Sequence, residues 1–182
     1  MIEMDYFSFP LLVSNKASLR DCSFDSANNL YLSQSNTVVV NFDDVKTQYY
    51  ANLKMTNEKA CSVDAIAKNK DASFCMVEFK SCLNGANPKV NLKVRDSLLI
   101  LCSICNTTID ETRKNIDFIV VFDETRTTFS TKDKVAIAMA NQSGTISSYG
   151  GYDKLEGSCF RKCVLCSSTD FNKRFVPFFQ SV

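Results

Sequence analysis

The stretch CSVDAIAKNKDASFCMVEFKS, residues 61–81, decides how this chain folds. Apolar and polar residues alternate on both sides of a polar segment at 68–72, and this pattern predicts a hairpin of two short strands. With Asp64 opposite Glu78, one face of the hairpin is small and apolar and carries Val63, Ala65, Ala67, Cys75, Val77 and Phe79. The other face carries Asp64, Ile66, Met76, Glu78 and Lys80.

The two acidic residues of the hairpin need a positive charge near them. Directly opposed residues of paired strands have Cβ atoms roughly 4.5–5.5 Å apart, so the carboxylates of Asp64 and Glu78 repel each other unless a cation is close. Lys80 lies on the same face, and a hard divalent ion such as Mg²⁺ prefers oxygen ligands. The pattern therefore predicts a magnesium site, with exposed surface ion pairs as the alternative.

These residues resemble the PD-(D/E)xK nuclease motif. Val63-Asp64 corresponds to its first pair, with valine where the motif is written with proline, and Glu78-Phe79-Lys80 corresponds to ExK. The resemblance implies that Asp64, Glu78 and the backbone carbonyl of Phe79 hold Mg²⁺, or Mn²⁺ as a substitute, and that Lys80 positions the attacking water. It implies a metal-dependent endonuclease that hydrolyses phosphodiester bonds of DNA.

The same resemblance assigns roles outside the hairpin. In that family the following helix lies beside the active site, so Lys89, Lys93 and Arg95 are expected to contact DNA phosphates, with a solvated helix face as the alternative. A preceding helix often adds an acidic residue, and Asp44 and Glu58 are the candidates, with helix capping as the alternative role. Many enzymes of the family cut as dimers, so a homodimer is a further expectation.

The flanking patterns predict an α/β fold with a mixed central sheet flanked by helices, like the restriction-endonuclease core. Residues 42–55 and 131–141 have helical patterns, and residues 89–106 form an amphipathic helix whose buried face is Val90, Val94, Leu98, Leu101 and Cys105. The apolar run at 114–124 predicts a strand buried on both faces. Strand, helix and strand across 73–123 predict a parallel crossover.

The length of 182 residues predicts one domain. Its core is expected at about 42–141, with a β-rich extension at 1–41 and a cysteine-containing segment at 142–182. The net charge of +1 gives no global attraction for nucleic acid, so DNA binding needs a local patch. The absence of histidine excludes Ser-His-Asp, Cys-His, HExxH and HNH chemistry, whereas a site of carboxylates, metal and lysine needs no imidazole.

Nine cysteines without a signal peptide predict reduced thiols in a cytoplasmic protein, and no apolar run is long enough to span a membrane. The spacing of Cys159, Cys163 and Cys166 is that of radical SAM clusters, but it stands near the end of too short a chain. Two CxxC pairs, Cys102 with Cys105 and Cys163 with Cys166, suggest a zinc-stabilised adaptor, although we expect free thiols and no structural zinc. A catalytically inactive binding module on a nuclease-like fold is the remaining alternative.

Overall fold

The computed structural model describes residues 6–55, 59–83, 88–143 and 149–182. Glu58, one of the two candidate accessory acids, lies outside the described residues. The strands are β1 (Lys16–Ser18), β2 (Phe24–Asp25), β3 (Leu30–Tyr31), β4 (Val38–Asn41), β5 (Ala65–Asn69), β6 (Phe74–Lys80), β7 (Ile116–Phe122), β8 (Lys162–Ser167) and β9 (Phe179–Gln180). The α-helices are α1 (Pro10–Val13), α2 (Leu19–Cys22), α3 (Phe42–Asn52), α4 (Pro88–Cys105), α5 (Ile109–Asn115), α6 (Thr131–Ser143) and α7 (Ser168–Arg174). Short 3₁₀ turns lie at Tyr6–Ser8, Tyr149–Leu155 and Val176–Phe178.

The fold is built on a mixed sheet in which the strand order is β1-β4-β5-β6-β7-β8, with β9 paired to the end of β5. The pairings from β1 through β6 are antiparallel, whereas β6, β7 and β8 are parallel. Helices flank this sheet, so the predicted α/β class is confirmed. The sheet takes β1 and β4 from residues 1–41, and β8 and β9 from residues 142–182.

The hairpin that the sequence predicted is β5 and β6, and its register is the expected one. Ala65 pairs with Val77, and the same register places Asp64 opposite Glu78 immediately before β5 begins. One face packs as predicted, except that Val63 belongs to the other hydrophobic cluster, together with Ile66 and Met76. That assignment of Val63 was wrong because the backbone bends at Asp64, which interrupts the strict alternation of a strand.

Both faces of the sheet are covered. The predicted stripe of α4 is buried against one face, in the same cluster as Phe118 and Val120 of β7. On the other face, Ile119 and Val121 of β7 pack with Phe171 of α7. The alternate residues of β7 thus enter two different cores, which confirms the prediction of a central strand buried on both sides.

The connection from β6 to β7 runs through α4 and α5 and joins parallel strands, as predicted. The strand begins at Ile116 rather than at 114, because Lys114 and Asn115 complete the short helix α5. Their side chains bond back to Glu111: Lys114 Nζ lies 3.1 Å from its carboxylate, and Asn115 Nδ2 donates to its carbonyl at 3.1 Å. No helix among the described residues is long and apolar enough to cross a membrane.

We expect Phe118→Ala to lower the free energy of unfolding by about 3–5 kcal/mol. Phe118 is fully buried, and its ring stacks on Phe160 with centroids 5.1 Å apart. Phe178→Ala is the matched control, because Phe178 is 60% exposed and its removal should change stability by less than about 0.5 kcal/mol. Urea denaturation of the two variants checks this, and equal losses would contradict the described core.

Candidate active site

The acidic residues and the lysine of the hairpin meet at one end of the sheet. Asp64 lies at the bend before β5, while Glu78 and Lys80 lie near the end of β6, the strand that pairs antiparallel with β5. Because side chains two residues apart on a strand share a face, Glu78 and Lys80 both point to the side covered by α4. The helix adds a fourth residue, Lys93, whose ammonium lies between the two carboxylates.

The four charged groups form one compact cluster. Lys93 Nζ lies 3.0 Å from Asp64 Oδ1, and it lies 2.9 Å from Glu78 Oε1 and 3.0 Å from Glu78 Oε2. Lys80 Nζ lies 2.5 Å from Glu78 Oε1. Glu78 is 0% exposed, so its carboxylate is held inside the protein between two ammonium groups. The structure therefore brings together Asp64, Glu78 and Lys80, and the expected exposed surface pairs are replaced by a buried cluster.

Helix α4 positions both Lys93 and the segment that leads to Asp64. Ser97, which is fully buried, accepts a hydrogen bond from the backbone N–H of Val63 at 2.8 Å. Asp96 accepts one from the backbone N–H of Cys61 at 3.0 Å. Lys93 and Ser97 are four residues apart and therefore lie on the same side of the helix. Lys93 and Ser97 therefore contact the hairpin and the segment before it from one face of α4.

The backbone at Phe79 completes the surroundings of Asp64. The N–H of Phe79 donates to Asp64 Oδ2 at 2.6 Å. The carbonyl of Lys80 accepts a hydrogen bond from the backbone N–H of Asp123 at 3.1 Å, so it faces β7. Because successive carbonyls of a strand point to opposite edges, the carbonyl of Phe79 faces the edge where Asp64 lies. The ring of Phe79 packs away from the cluster, edge to face on Phe171 with centroids 5.6 Å apart.

Burial controls the protonation of this cluster. Burial, reinforced by the charge of Asp64, raises the pKa of Glu78 to about 7 even though Lys93 and Lys80 lower it. Burial also raises the pKa of Asp64 against the opposing effect of Lys93. Burial alone would lower the pKa of Lys93, but the charges of Asp64 and Glu78 outweigh it and raise that pKa. Lys93 is therefore charged at every physiological pH, whereas Glu78 takes up a proton near neutrality.

The cluster opens to solvent through a cavity of about 320 Å³. Asp64, Phe79, Lys80 and Ser81 line part of the cavity. The rest of its wall comes from α2 and the stretch that follows it, and it consists of Cys22, Ser23, Phe24, Asp25, Ser26 and Leu32. The sequence reasoning missed this wall, because it lies in the irregular stretch before residue 41 and carries no motif.

The other basic residues of α4 lie away from the cluster. Lys89 is exposed, and Arg95 is 65% exposed with its guanidinium hydrogen-bonded to Asp96 at 3.1 and 3.2 Å. Lys93 instead faces the carboxylates. The contact of Lys89 and Arg95 with DNA phosphates stays a prediction.

Asp44, the candidate accessory acid inside the described residues, takes part in the cap of α3. The side chain of Asn41 accepts hydrogen bonds from the N–H groups of Asp43 and Asp44, at 3.1 and 3.4 Å, and donates to Asp44 Oδ2 at 2.8 Å. The carboxylate nearer to the hairpin is that of Asp43, which accepts a short hydrogen bond from Ser62 Oγ. The geometry at Asp44 is that of a helix terminus.

The proposed zinc pairs do not converge. Cys163 and Cys166 lie on the same strand, but Cys163 belongs to the core under α4 and Cys166 to the core under α7, on opposite faces of the sheet. Cys102 and Cys105 lie in α4, as predicted, with Cys105 buried among apolar side chains. Within the described residues no group of three or more cysteine or acidic side chains is arranged to hold a metal ion. Cys163 and Cys166 are therefore not placed to share one metal ion, and the zinc-stabilised adaptor stays an untested prediction.

No protein-family model, curated protein or solved structure matches this chain. The resemblance to the PD-(D/E)xK nucleases therefore stays a prediction from the motif residues.

We expect the free energy of unfolding to fall as the pH rises from about 4.5 to about 7. Glu78→Gln should abolish this pH dependence, because glutamine does not titrate. The pKa of Glu78 is about 7 in the folded chain against 4.5 for an unperturbed glutamate, so the folded state binds the extra proton and is favoured at low pH. The shift corresponds to about 3 kcal/mol, present below pH 4.5 and lost above pH 7. Denaturation of both proteins across this range measures the difference, and parallel curves would contradict it.

Proposed function

We propose that this chain is a metal-dependent nuclease that hydrolyses phosphodiester bonds of DNA, with Asp64, Glu78 and Lys80 in its active site. The observation that carries the proposal is the convergence of two carboxylates on one cation position. Asp64 Oδ1 and Glu78 Oε1 lie within 3.0 Å of the same point, which the ammonium of Lys93 occupies, and Lys80 lies beside it.

The oxygen atoms of this cluster fit a hard divalent ion such as Mg²⁺ or Mn²⁺. Glu78 Oε1 is buried, and it lies 2.5 Å from Lys80 Nζ and 2.9 Å from Lys93 Nζ. A metal ion bound at this oxygen would take the place of one of these ammonium groups. Asp64 Oδ1 and the carbonyl of Phe79, which faces the same edge of β6, would complete a set of three protein ligands.

Such an ion, when bound, would polarise the phosphodiester and lower the pKa of the attacking water. Lys80 would then orient that water and offset the negative charge that develops on the phosphate. Asp64 is held by the N–H of Phe79, so its second oxygen keeps a fixed direction. Lys89 and Arg95, on the exposed side of α4, are the proposed contacts to flanking phosphates.

A second candidate function is a binding module without catalysis, and the position of Lys93 favours it. Lys93 and Lys80 already balance the charges of Asp64 and Glu78, so the cluster is neutral without a metal ion when all four groups are ionised. A divalent ion would have to compete with Lys93 for both carboxylates. The two candidates therefore differ in a measurable quantity, the affinity of the cluster for Mn²⁺.

We expect the purified protein to cut DNA in the presence of Mg²⁺ or Mn²⁺, and Lys80→Ala and Glu78→Gln to lower the rate about 100-fold or more, because each removes a group that acts on the reacting phosphate or its metal. Plasmid and single-stranded circular DNA are both used as substrates. Lys162→Ala is the control, since Lys162 is exposed at the opposite end of the sheet. Cutting that persists in both site variants would locate the activity elsewhere or in a contaminant.

We expect Lys93→Met to bind Mn²⁺ about tenfold more tightly than the wild-type protein, because the substitution leaves two buried carboxylates without their competing cation. Titration calorimetry measures the affinity. The rise in melting temperature on addition of Mn²⁺ gives a second measure if the variant folds poorly without metal. Equal or weaker binding in Lys93→Met, beside an unchanged Lys162→Met control, would contradict a metal site at Asp64 and Glu78.

A further inference from the structure

A small hairpin forms part of the wall of the cavity that leads to the charged cluster. It consists of β2 and β3, which pair with each other in a separate two-stranded sheet. Phe24 and Asp25 of β2 line the same cavity as Asp64 and Lys80. Whatever molecule reaches the cluster through this cavity therefore also contacts the hairpin.

The hairpin is fixed relative to the cluster by polar bonds at its tip. Asn28 Nδ2 donates to Ser81 Oγ at 3.1 Å, directly after the end of β6. Arg126 Nη2 donates to Asn28 Oδ1 at 2.6 Å, so the side chain of Asn28 contacts both the segment after β6 and the segment after β7. At the base of the hairpin, Ser23 Oγ accepts from Ser33 N at 3.0 Å. The wall is thus held in place on the side of Lys80.

This hairpin carries an aromatic and cationic stack. The rings of Phe24 and Tyr31 are stacked, with centroids 4.5 Å apart and planes 28° apart. The guanidinium of Arg20 lies over the Tyr31 ring, 4.2 Å from its centroid. Phe24 is 40% exposed, so part of its ring contacts water. Burial of that apolar surface by a ligand would be favourable. Proteins that bind single strands combine cationic side chains with aromatic rings on which bases stack, and here Phe24 and Lys80 line the same cavity.

We propose that the β2–β3 hairpin binds an unstacked nucleobase on Phe24, so that the nucleic acid bound at this site is a single strand. The inference deepens the proposed function and rests on it for the identity of the ligand. In a duplex the faces of internal bases are covered by their neighbours, whereas a single strand can place a base on an aromatic ring. The stack of Phe24, Tyr31 and Arg20 would accept any base, because every base has a π face.

The charges of the cavity walls fix the orientation of the strand. Asp25 accepts hydrogen bonds from Ala27 N, Asn28 N and Asn28 Nδ2, at 3.0, 3.2 and 2.7 Å. Hydrogen bonds from Ser81 and Asn28 lower its pKa, so the Asp25 carboxylate is negatively charged and repels a phosphate. Lys80, which lines the same cavity, attracts one. The base therefore lies toward the hairpin, and the phosphate lies toward Lys80 and the carboxylates.

The test compares the affinity of the full chain for single-stranded and duplex DNA. Fluorescence anisotropy with a labelled oligothymidylate of about 12 nucleotides, beside a duplex of the same length, is measured in EDTA so that no cutting occurs. We expect tighter binding of the single strand, and a loss of roughly 5- to 100-fold in Phe24→Ala and Phe24→Leu. Phe24→Trp, which keeps an aromatic face, should retain the wild-type affinity.

Phe178→Ala is the matched control, because Phe178 is an exposed phenylalanine that lines a different cavity, together with Arg161 and Arg174. Phe24→Leu keeps an apolar contact with Tyr31, so a loss of affinity in a variant with unchanged circular dichroism and melting temperature reports stacking and not folding. Preference for the duplex, or unchanged binding in both Phe24→Ala and Phe24→Leu, would overturn the inference.

The outcomes separate this inference from the proposed function. If the protein cuts DNA but its affinity does not depend on Phe24, the nuclease stands and the hairpin has no role in binding. If no DNA is cut under any condition while single-stranded DNA binds through Phe24, the nuclease fails and the chain is a single-strand-binding module.

Discussion

The burial of Glu78 between Lys80 and Lys93 is the interaction on which the arrangement of this protein depends. A carboxylate with no exposed surface would destabilise the fold by several kcal/mol if it lacked a partner. Lys80 comes from the same strand, but Lys93 comes from α4, so satisfying Glu78 fixes the rotation and the axial position of that helix. The same helix face then bonds to Val63 through Ser97 and sets the position of Asp64. One buried charge thus couples the helix, the hairpin and the bend.

Much of this could be predicted from the sequence, because the relevant patterns are local. The alternation on β5 and β6 sets their register, the helical period of α4 sets its buried face, and the apolar run of β7 indicates a central strand. Lys93 was expected to contact DNA phosphates, because the pattern of α4 shows which residues are apolar and does not show what lies opposite each polar one. The pairing of β8 and β9 and the hairpin wall at Phe24 depend on long-range contacts, for which short strands carry little signal.

The cluster and the cavity together define what the site can bind. Two lysines and two carboxylates form a set that carries no net charge when all are ionised, and a proton on Glu78 near neutrality adds a positive charge. The rest of the cavity wall carries the Asp25 carboxylate and the ring of Phe24. A ligand with a negative group and a flat polar ring fits this uneven charge better than a duplex, whose surface is uniformly negative. The same preference would apply to a nuclease and to a binding module without catalysis.

The sheet also has a consequence for how the chain folds. The β5–β6 hairpin closes over a short turn, whereas β7 must reach β6 through the whole of α4 and α5, and β8 joins later still. Short loops cost less entropy to close, so the hairpin pairs before the parallel strands do. Asp64 and Glu78 therefore come together at a stage when Lys80 is close and Lys93 has not yet docked. The rate-limiting step should bring α4 over this repulsive pair, and acid should speed folding by neutralising one of its members.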